Sequence, residues 1–150
     1  MYWRGRAVVP GGGPFIVGVL NVTPDSFSDG GLHASAAAAI SAGLRMADEG
    51  ADVIDVGGES TRPGSDPVPA DEQIHRTRDV IAALCQRFGR EGPAISIDTR
   101  AARVADAALD AGATIVNDIS ALRDDPDMAG LVASRGAGVT SRYSPSTTTP

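Results

Sequence analysis

Asp98, Asn117, the run Glu59-Ser-Thr-Arg62 and Asn21 are the residues of this 150-residue chain whose types can do chemistry together. A carboxylate such as Asp98 can accept two parallel hydrogen bonds from a planar, amidine-like edge, and a 2-aminopyrimidinone ring offers that edge. Asn117 both donates and accepts, so it can read a neighbouring ring edge. Thr61 and Arg62 suit a cluster of anionic oxygens, with the guanidinium supplying a two-pronged fork. Asn21 carries a short neutral oxygen ligand and can hold a hard cation such as Mg2+ against the same anion. The set describes a site for a heterocycle bearing a diphosphate, and Gly58 and Gly64 let backbone approach it closely. Each residue also has an ordinary use. Asn21, Asp25 and Asp29 can make Asx turns, Asp98 and Thr99 can start a helix, and Glu59 has no partner legible in the sequence.

Elements able to position these groups alternate along the chain. Residues 1–14, closing in Pro10-Gly-Gly-Gly-Pro14, read as a leader with a turn. An apolar run at 15–20 predicts a first strand, which ends at Asn21 in a polar loop reaching Gly31. A helix over 35–49 follows, with Ser35 as its N-cap and Gly50 as its stop. The second strand, 52–57, runs into Gly58-Glu-Ser-Thr-Arg-Pro-Gly64 and a helix over 71–88. The third strand, 94–98, leads through Thr99 into a helix over 100–111, and the fourth, 113–117, ends at Asn117. Asp125 and Pro126 read as N-cap and first residue of a last helix, with Met128, Leu131 and Val132 facing inward and Gly136 as its stop. Repeated strand–helix units with short returns imply a parallel sheet, and the polar groups at the strand ends then converge on one mouth. A fifth strand should begin near 137–139, but the apolar pattern ceases there, and the Ser/Thr/Pro tract of 140–150 reads as a disordered tail outside the family pattern. A closed (β/α)8 barrel needs about 250 residues, so the pattern fits the N-terminal half of one.

Composition narrows the partners. The formal net charge is −6, with no Lys/Arg cluster, which argues against nucleic acid or an anionic membrane. Hydrophobic residues make up 42% and charged ones 21%, as in ordinary globular domains. Cys85 is the sole cysteine, so no intrachain disulfide can form, and a reducing cytoplasmic setting is the expectation. Cys85 falls on the apolar stripe of its helix and reads as a small core residue, and His75 beside Arg76 as a solvated one. No apolar run approaches the length of a membrane span.

Two segments, Leu20-Asn-Val-Thr-Pro-Asp-Ser-Phe-Ser-Asp-Gly-Gly31 and Asp55-Val-Gly-Gly-Glu-Ser-Thr-Arg-Pro-Gly64, resemble the signature segments of dihydropteroate synthase. Ser96-Ile-Asp-Thr99 and Val116-Asn-Asp118 follow in the family's order, and the resemblance covers about residues 14–138. It implies a (β/α)8 barrel that joins 6-hydroxymethyl-7,8-dihydropterin diphosphate to 4-aminobenzoate in folate biosynthesis, and is the target of sulfonamides. It also implies Asn21 as the Mg2+ ligand, Asp98 and Asn117 at the pterin, and Thr61 and Arg62 at the diphosphate. Phe27, Asp29 and Pro63 would belong to two loops forming the aminobenzoate pocket. Arg62 is the candidate for stabilising the leaving diphosphate, no protein nucleophile is needed, and whole-length members would be homodimers.

The family continues beyond this pattern with another pterin-binding Asp, a Lys, and an Arg/His pair, none of which has a counterpart in these 150 residues. An incomplete or inactive unit is therefore the alternative expectation. A pterin-binding module of the methyltetrahydrofolate–corrinoid methyltransferase kind is a third, which the loops at 27–31 and 60–64 disfavour.

Overall fold

The computed structural model describes residues 2–3, 6–7, 14–23, 31–59 and 66–141. Two short strands, β1 (Tyr2–Trp3) and β2 (Arg6–Ala7), pair antiparallel within what the sequence presents only as a leader. The main body is a five-stranded, all-parallel sheet in the order β3 (Val17–Asn21), β4 (Val53–Gly57), β5 (Ala94–Asp98), β6 (Ile115–Asn117) and β7 (Gly138–Thr140). Helices α1 (Gly31–Asp48), α2 (Ala70–Phe88), α3 (Ala102–Asp110) and α4 (Met128–Arg135) link successive strands, and each packs against the next. The four βα units are those the alternation predicts, the N-terminal half of a (β/α)8 arrangement, but a fifth strand follows them and takes in Thr140, which the sequence presents as the start of a disordered tract.

Successive side chains of a strand point to opposite faces, so each strand contributes one set to the helices and one to the other side of the sheet. Leu20, Ile54, Val56, Ile95, Ile97 and Val116 face the helices, where they share one core with Ala39, Val80, Ile81, Leu84, Val104, Ala105, Met128 and Val132. The opposite, inner face carries a separate small cluster of Val53, Ala94 and Ile115. At the β3 edge this face is open: Val17 is 50% and Val19 58% exposed.

Close packing of helix on helix depends on Gly43, where a Cβ would lie 2.9 Å from Leu84 Cδ2. Gly58 meets backbone as well as side chain. A Cβ there would stand 3.0 Å from Thr77 Cγ2 and 3.1 Å from both Cα and O of Gln73, so the backbone of α2 would have to move. Gly58→Ala is expected to cost about 1–3 kcal/mol of stability, read as a lowered urea midpoint at unchanged slope.

Three local expectations are corrected. Helix α1 begins one turn earlier than Ser35, which therefore sits buried inside it rather than capping it. Helix α3 begins at Ala102 rather than 100, with Thr99 Oγ1 accepting the Ala101 N–H at 3.2 Å just ahead of it. Helix α4 begins at Met128 rather than at Pro126, and Asp125 stands ahead of its N-cap, Asp127, whose N–H Asp125 Oδ1 accepts at 3.0 Å. The other oxygen of the Asp125 carboxylate reaches α3 and accepts the Ala102 N–H at 2.7 Å. That N–H belongs to the first turn, where no backbone partner exists, so a cap supplied from 23 residues away serves as well as a local one.

Candidate active site

The parallel register builds the site. Asn21 pairs with Gly57, Gly57 with Asp98, Asp98 with Asn117, and Asn117 with Thr140. These five residues are the last of their strands and share the inner face, so they form one row along the rim. Gly57 leaves a gap in that row. A Cβ on it would meet Asn21 Oδ1 at 3.4 Å and Asp98 Cβ at 3.7 Å, so the space a side chain would fill is bordered by both neighbours. Asn21 is exposed, while Asp98 and Asn117 are half-buried. The structure therefore brings Asn21, Asp98 and Asn117 together. Thr61, Arg62, Pro63, Phe27 and Asp29 lie outside the described residues.

One row below the rim stands a residue the sequence did not single out. Asp55, in the middle of β4, is 5% exposed. Its Oδ1 accepts a short hydrogen bond from Ser96 Oγ, and its Oδ2 accepts from Asn117 Nδ2 at 2.8 Å. Its signal was its parity. Asp55 and Ser96 are polar residues in otherwise buried strands, on the same face as Gly57 and Asp98, and buried polar groups in strands are uncommon enough to be informative.

Glu59, which had no legible partner, fastens the base of the second loop. Its Oε1 accepts the Val68 N–H and its Oε2 accepts from Gln73 Nε2, each at 3.2 Å, and Gln73 Nε2 also donates to Val68 O at 2.9 Å. Arg76 Nη1 donates to Gly58 O at 3.0 Å. Glu59, at the end of β4, is thus clasped to Val68 and Gln73 at the start of α2. Behind the clasp lies an open cleft of about 340 Å³, whose charged lining consists of Glu59, Arg100, Asp124 and Asp125. Arg100 lies 3.9 Å from Glu59 and 3.2 Å from Asp124.

The segment after β6 is held by Asp118, which is fully buried. Its carboxylate accepts the N–H of Ser120 at 2.7 Å and of Leu122 at 3.2 Å, while its own N–H donates to Thr140 O at 3.0 Å. Ala121 and Leu122 adopt left-handed φ values of 56° and 62°, a strained conformation for residues with a Cβ. Away from the rim, Arg135 of α4 joins Asp106 and Asp110 of α3, and hydrogen bonds to these two carboxylates raise its pKa above the ordinary guanidinium value.

Among the described residues no three His, Cys, Asp or Glu side chains cluster as a metal cage. A cation at this rim would have to be held by an oxygen such as Asn21 Oδ1 together with oxygens of a bound ligand. That is the manner of Mg2+ on phosphates, so the donor set fits that ion. No helix among the described residues is long and apolar enough to cross a membrane.

Comparison with known proteins agrees with this geometry. Residues 17–147 match the family model of pterin binding enzymes. The dihydropteroate synthase of Bacillus subtilis is 48% identical over 118 residues, which span 79% of this chain and 40% of that protein. The Xanthomonas albilineans dihydropteroate synthase solved with 4-aminobenzoic acid superposes with a TM-score of 0.77 at 46% identity, covering 84% of this chain and 45% of that one. The enzyme of Anaplasma phagocytophilum with bound 6-hydroxymethylpterin-monophosphate gives a TM-score of 0.76 at 43% identity, covering 83% and 47%. The chain thus spans less than half the length of these relatives. By its motifs, its parallel βα units and the match across most of its length, this chain belongs to the pterin binding enzyme family.

Proposed function

We propose that the chain supplies the pterin and diphosphate half of a dihydropteroate synthase site. The observation that carries this is the rim row, in which Asn21, Asp98 and Asn117 stand on adjoining strand ends around the gap at Gly57. In this reading Asp98 accepts from the amino-pyrimidinone edge of 6-hydroxymethyl-7,8-dihydropterin diphosphate, and Asn117 takes the adjoining ring edge. Thr61 and Arg62 bind the diphosphate, and Phe27, Asp29 and Pro63 contribute to the pocket of 4-aminobenzoate.

The reaction breaks the bond between the exocyclic methylene carbon and the diphosphate oxygen, and forms a carbon–nitrogen bond to the aminobenzoate amine, which loses a proton. An electron-rich pterin tolerates early departure of the leaving group. Asp98 favours positive charge developing on the ring it holds, and Arg62 favours negative charge on the departing oxygens. The loops at 24–30 and 60–65 would exclude water from the cationic carbon. Mg2+ bound at Asn21 would neutralise part of the diphosphate charge.

Calorimetric titration of the chain with the pterin diphosphate tests the reading. Saturable binding at one site is expected, and no binding overturns it. Chelation of Mg2+ is expected to weaken binding roughly tenfold, and Asn21→Ala is expected to lose this dependence on the ion while retaining the affinity seen in its absence. Sulfonamides would compete only at the aminobenzoate pocket.

A second reading, binding without turnover by these residues alone, is favoured by the open inner face at Val17 and Val19 and by the span of less than half the relatives' length. Dihydropteroate formation by the 150-residue chain at the rate of a whole-length relative would overturn it.

A further inference from the structure

One buried side chain of α2 ties together three segments that meet beside the rim. Gln73 is 5% exposed, and both ends of its carboxamide are in use. Nε2 donates to Glu59 Oε2 at 3.2 Å and to Val68 O at 2.9 Å, while Oε1 accepts from Thr99 Oγ1 at 3.4 Å. A carboxylate only accepts hydrogen bonds, so the NH2 end must be the one that faces Glu59. Glu59 closes the triangle, its Oε1 accepting the Val68 N–H at 3.2 Å. The residue has no slack behind it. A Cβ on Gly58 would lie 3.1 Å from Gln73 Cα, and Thr77 Oγ1 donates to Gln73 O at 2.8 Å.

Glu59 and Val68 bracket residues 60–67 along the chain, and Thr99 directly follows Asp98. The sheet register already sets Gly57 beside Asp98 without help from α2. What Gln73 adds is a tie between the two ends of 60–67, anchored on the residue next to Asp98. We propose that Gln73 is a positioning residue for the anion half of the site, preorganising the run that carries Thr61 and Arg62 relative to Asp98, so that one ligand is held by its ring and its diphosphate together. This rests on the pterin and diphosphate reading of the rim. A segment whose ends are tied has fewer conformations to give up when it binds. Two subsites bridged by one ligand reinforce each other only when their spacing matches it. Removing the carboxamide takes a donor from Glu59 and Val68 and an acceptor from Thr99, whereas Asp98 and Asn117 stay paired in register. The ring should therefore be held as before, while the affinity contributed by the diphosphate falls about tenfold.

Calorimetry with Mg2+ present compares the affinity of the chain for 6-hydroxymethyl-7,8-dihydropterin with that for its diphosphate, in wild type, Q73M, Q73E and E59Q/Q73E. The wild type is expected to bind the diphosphate more tightly, and Q73M to lose about tenfold of that gain while holding the free pterin within about twofold. Q73E sets two carboxylates face to face and is expected to lose the gain as well. E59Q/Q73E exchanges donor and acceptor at unchanged net charge, and is expected to recover the gain to within about threefold of wild type. A merely structural Gln73 would weaken both ligands alike, and that result overturns the proposal. A Q73M that keeps the whole gain overturns it too, and leaves the reading of the site standing. A wild type that gains nothing from the diphosphate, or binds neither ligand, overturns that reading and the role of Gln73 with it. Hydrogen exchange by NMR in the ligand-free wild type gives a readout independent of any variant's folding. Slow exchange of Gln73 Nε2–H is expected, and exchange at the rate of an exposed glutamine overturns the proposal.

Discussion

Asp98→Asn is expected to weaken binding of a dihydropterin roughly a hundredfold, with little change in melting temperature. A carboxylate facing an amino-pyrimidinone edge makes two charge-assisted hydrogen bonds, and such bonds contribute about 1.5–3 kcal/mol each. The amide keeps the shape of the side chain but presents an NH2 group to a ring donor, so one bond is lost and one contact turns repulsive. Stability should hold because Asp98 is only half-buried at the end of its strand, and the substitution leaves the β5 backbone pairing intact. Fluorescence titration with the pterin, alongside a thermal melt, separates the two quantities. An affinity within threefold of the parent would show that Asp98 does not hold the ring.

The largest effect on stability among polar substitutions is expected at Asp118. Asp118→Ala should cost about 2–4 kcal/mol, measured as the loss in unfolding free energy from urea titration. Its carboxylate is fully buried and satisfies the N–H groups of Ser120 and Leu122, and removing it strips a partner from both. It also removes what keeps Ala121 and Leu122 in their left-handed conformation, so the segment after β6 should relax away from its present course. Asp118→Asn retains one acceptor oxygen and is expected to lose about half as much. Because Asp118 donates its own N–H to Thr140 O, slackening here should also loosen the β6–β7 pairing, visible as faster amide exchange at Asp118 and Thr140. A loss below about 1 kcal/mol for the alanine variant would show that solvent can replace the carboxylate.

Much of the site was legible along the chain because βα units carry their signals locally. Apolar runs that stop at Asn21, Asp98 and Asn117 mark strand ends whether or not their neighbours are known, and β5 falls on the predicted residues. Boundaries failed where a distant group intervened. Asp125 looks like a local helix cap, and one of its oxygens does take a local N–H, that of Asp127. Packing of the β6–α4 segment against α3 gives its second oxygen a further use at Ala102, which no local signal announces. Glu59 was opaque for the same reason. Its partners, Val68 and Gln73, become neighbours only when the start of α2 is set against the end of β4.

The sequence by itself determined the alternation of strand and helix, the polar residue closing each strand and the family these belong to, because each depends on spacing within a few residues. Tertiary structure alone decided which of those residues share a face, since parity counts only once the register between strands is set. It joined Asp55 to Asn117, 62 positions apart, because β4 and β6 flank β5 in the sheet although two helices and that strand separate them along the chain. It also made Gly57 the gap between Asn21 and Asp98, a consequence of two side chains arriving from strands on either side.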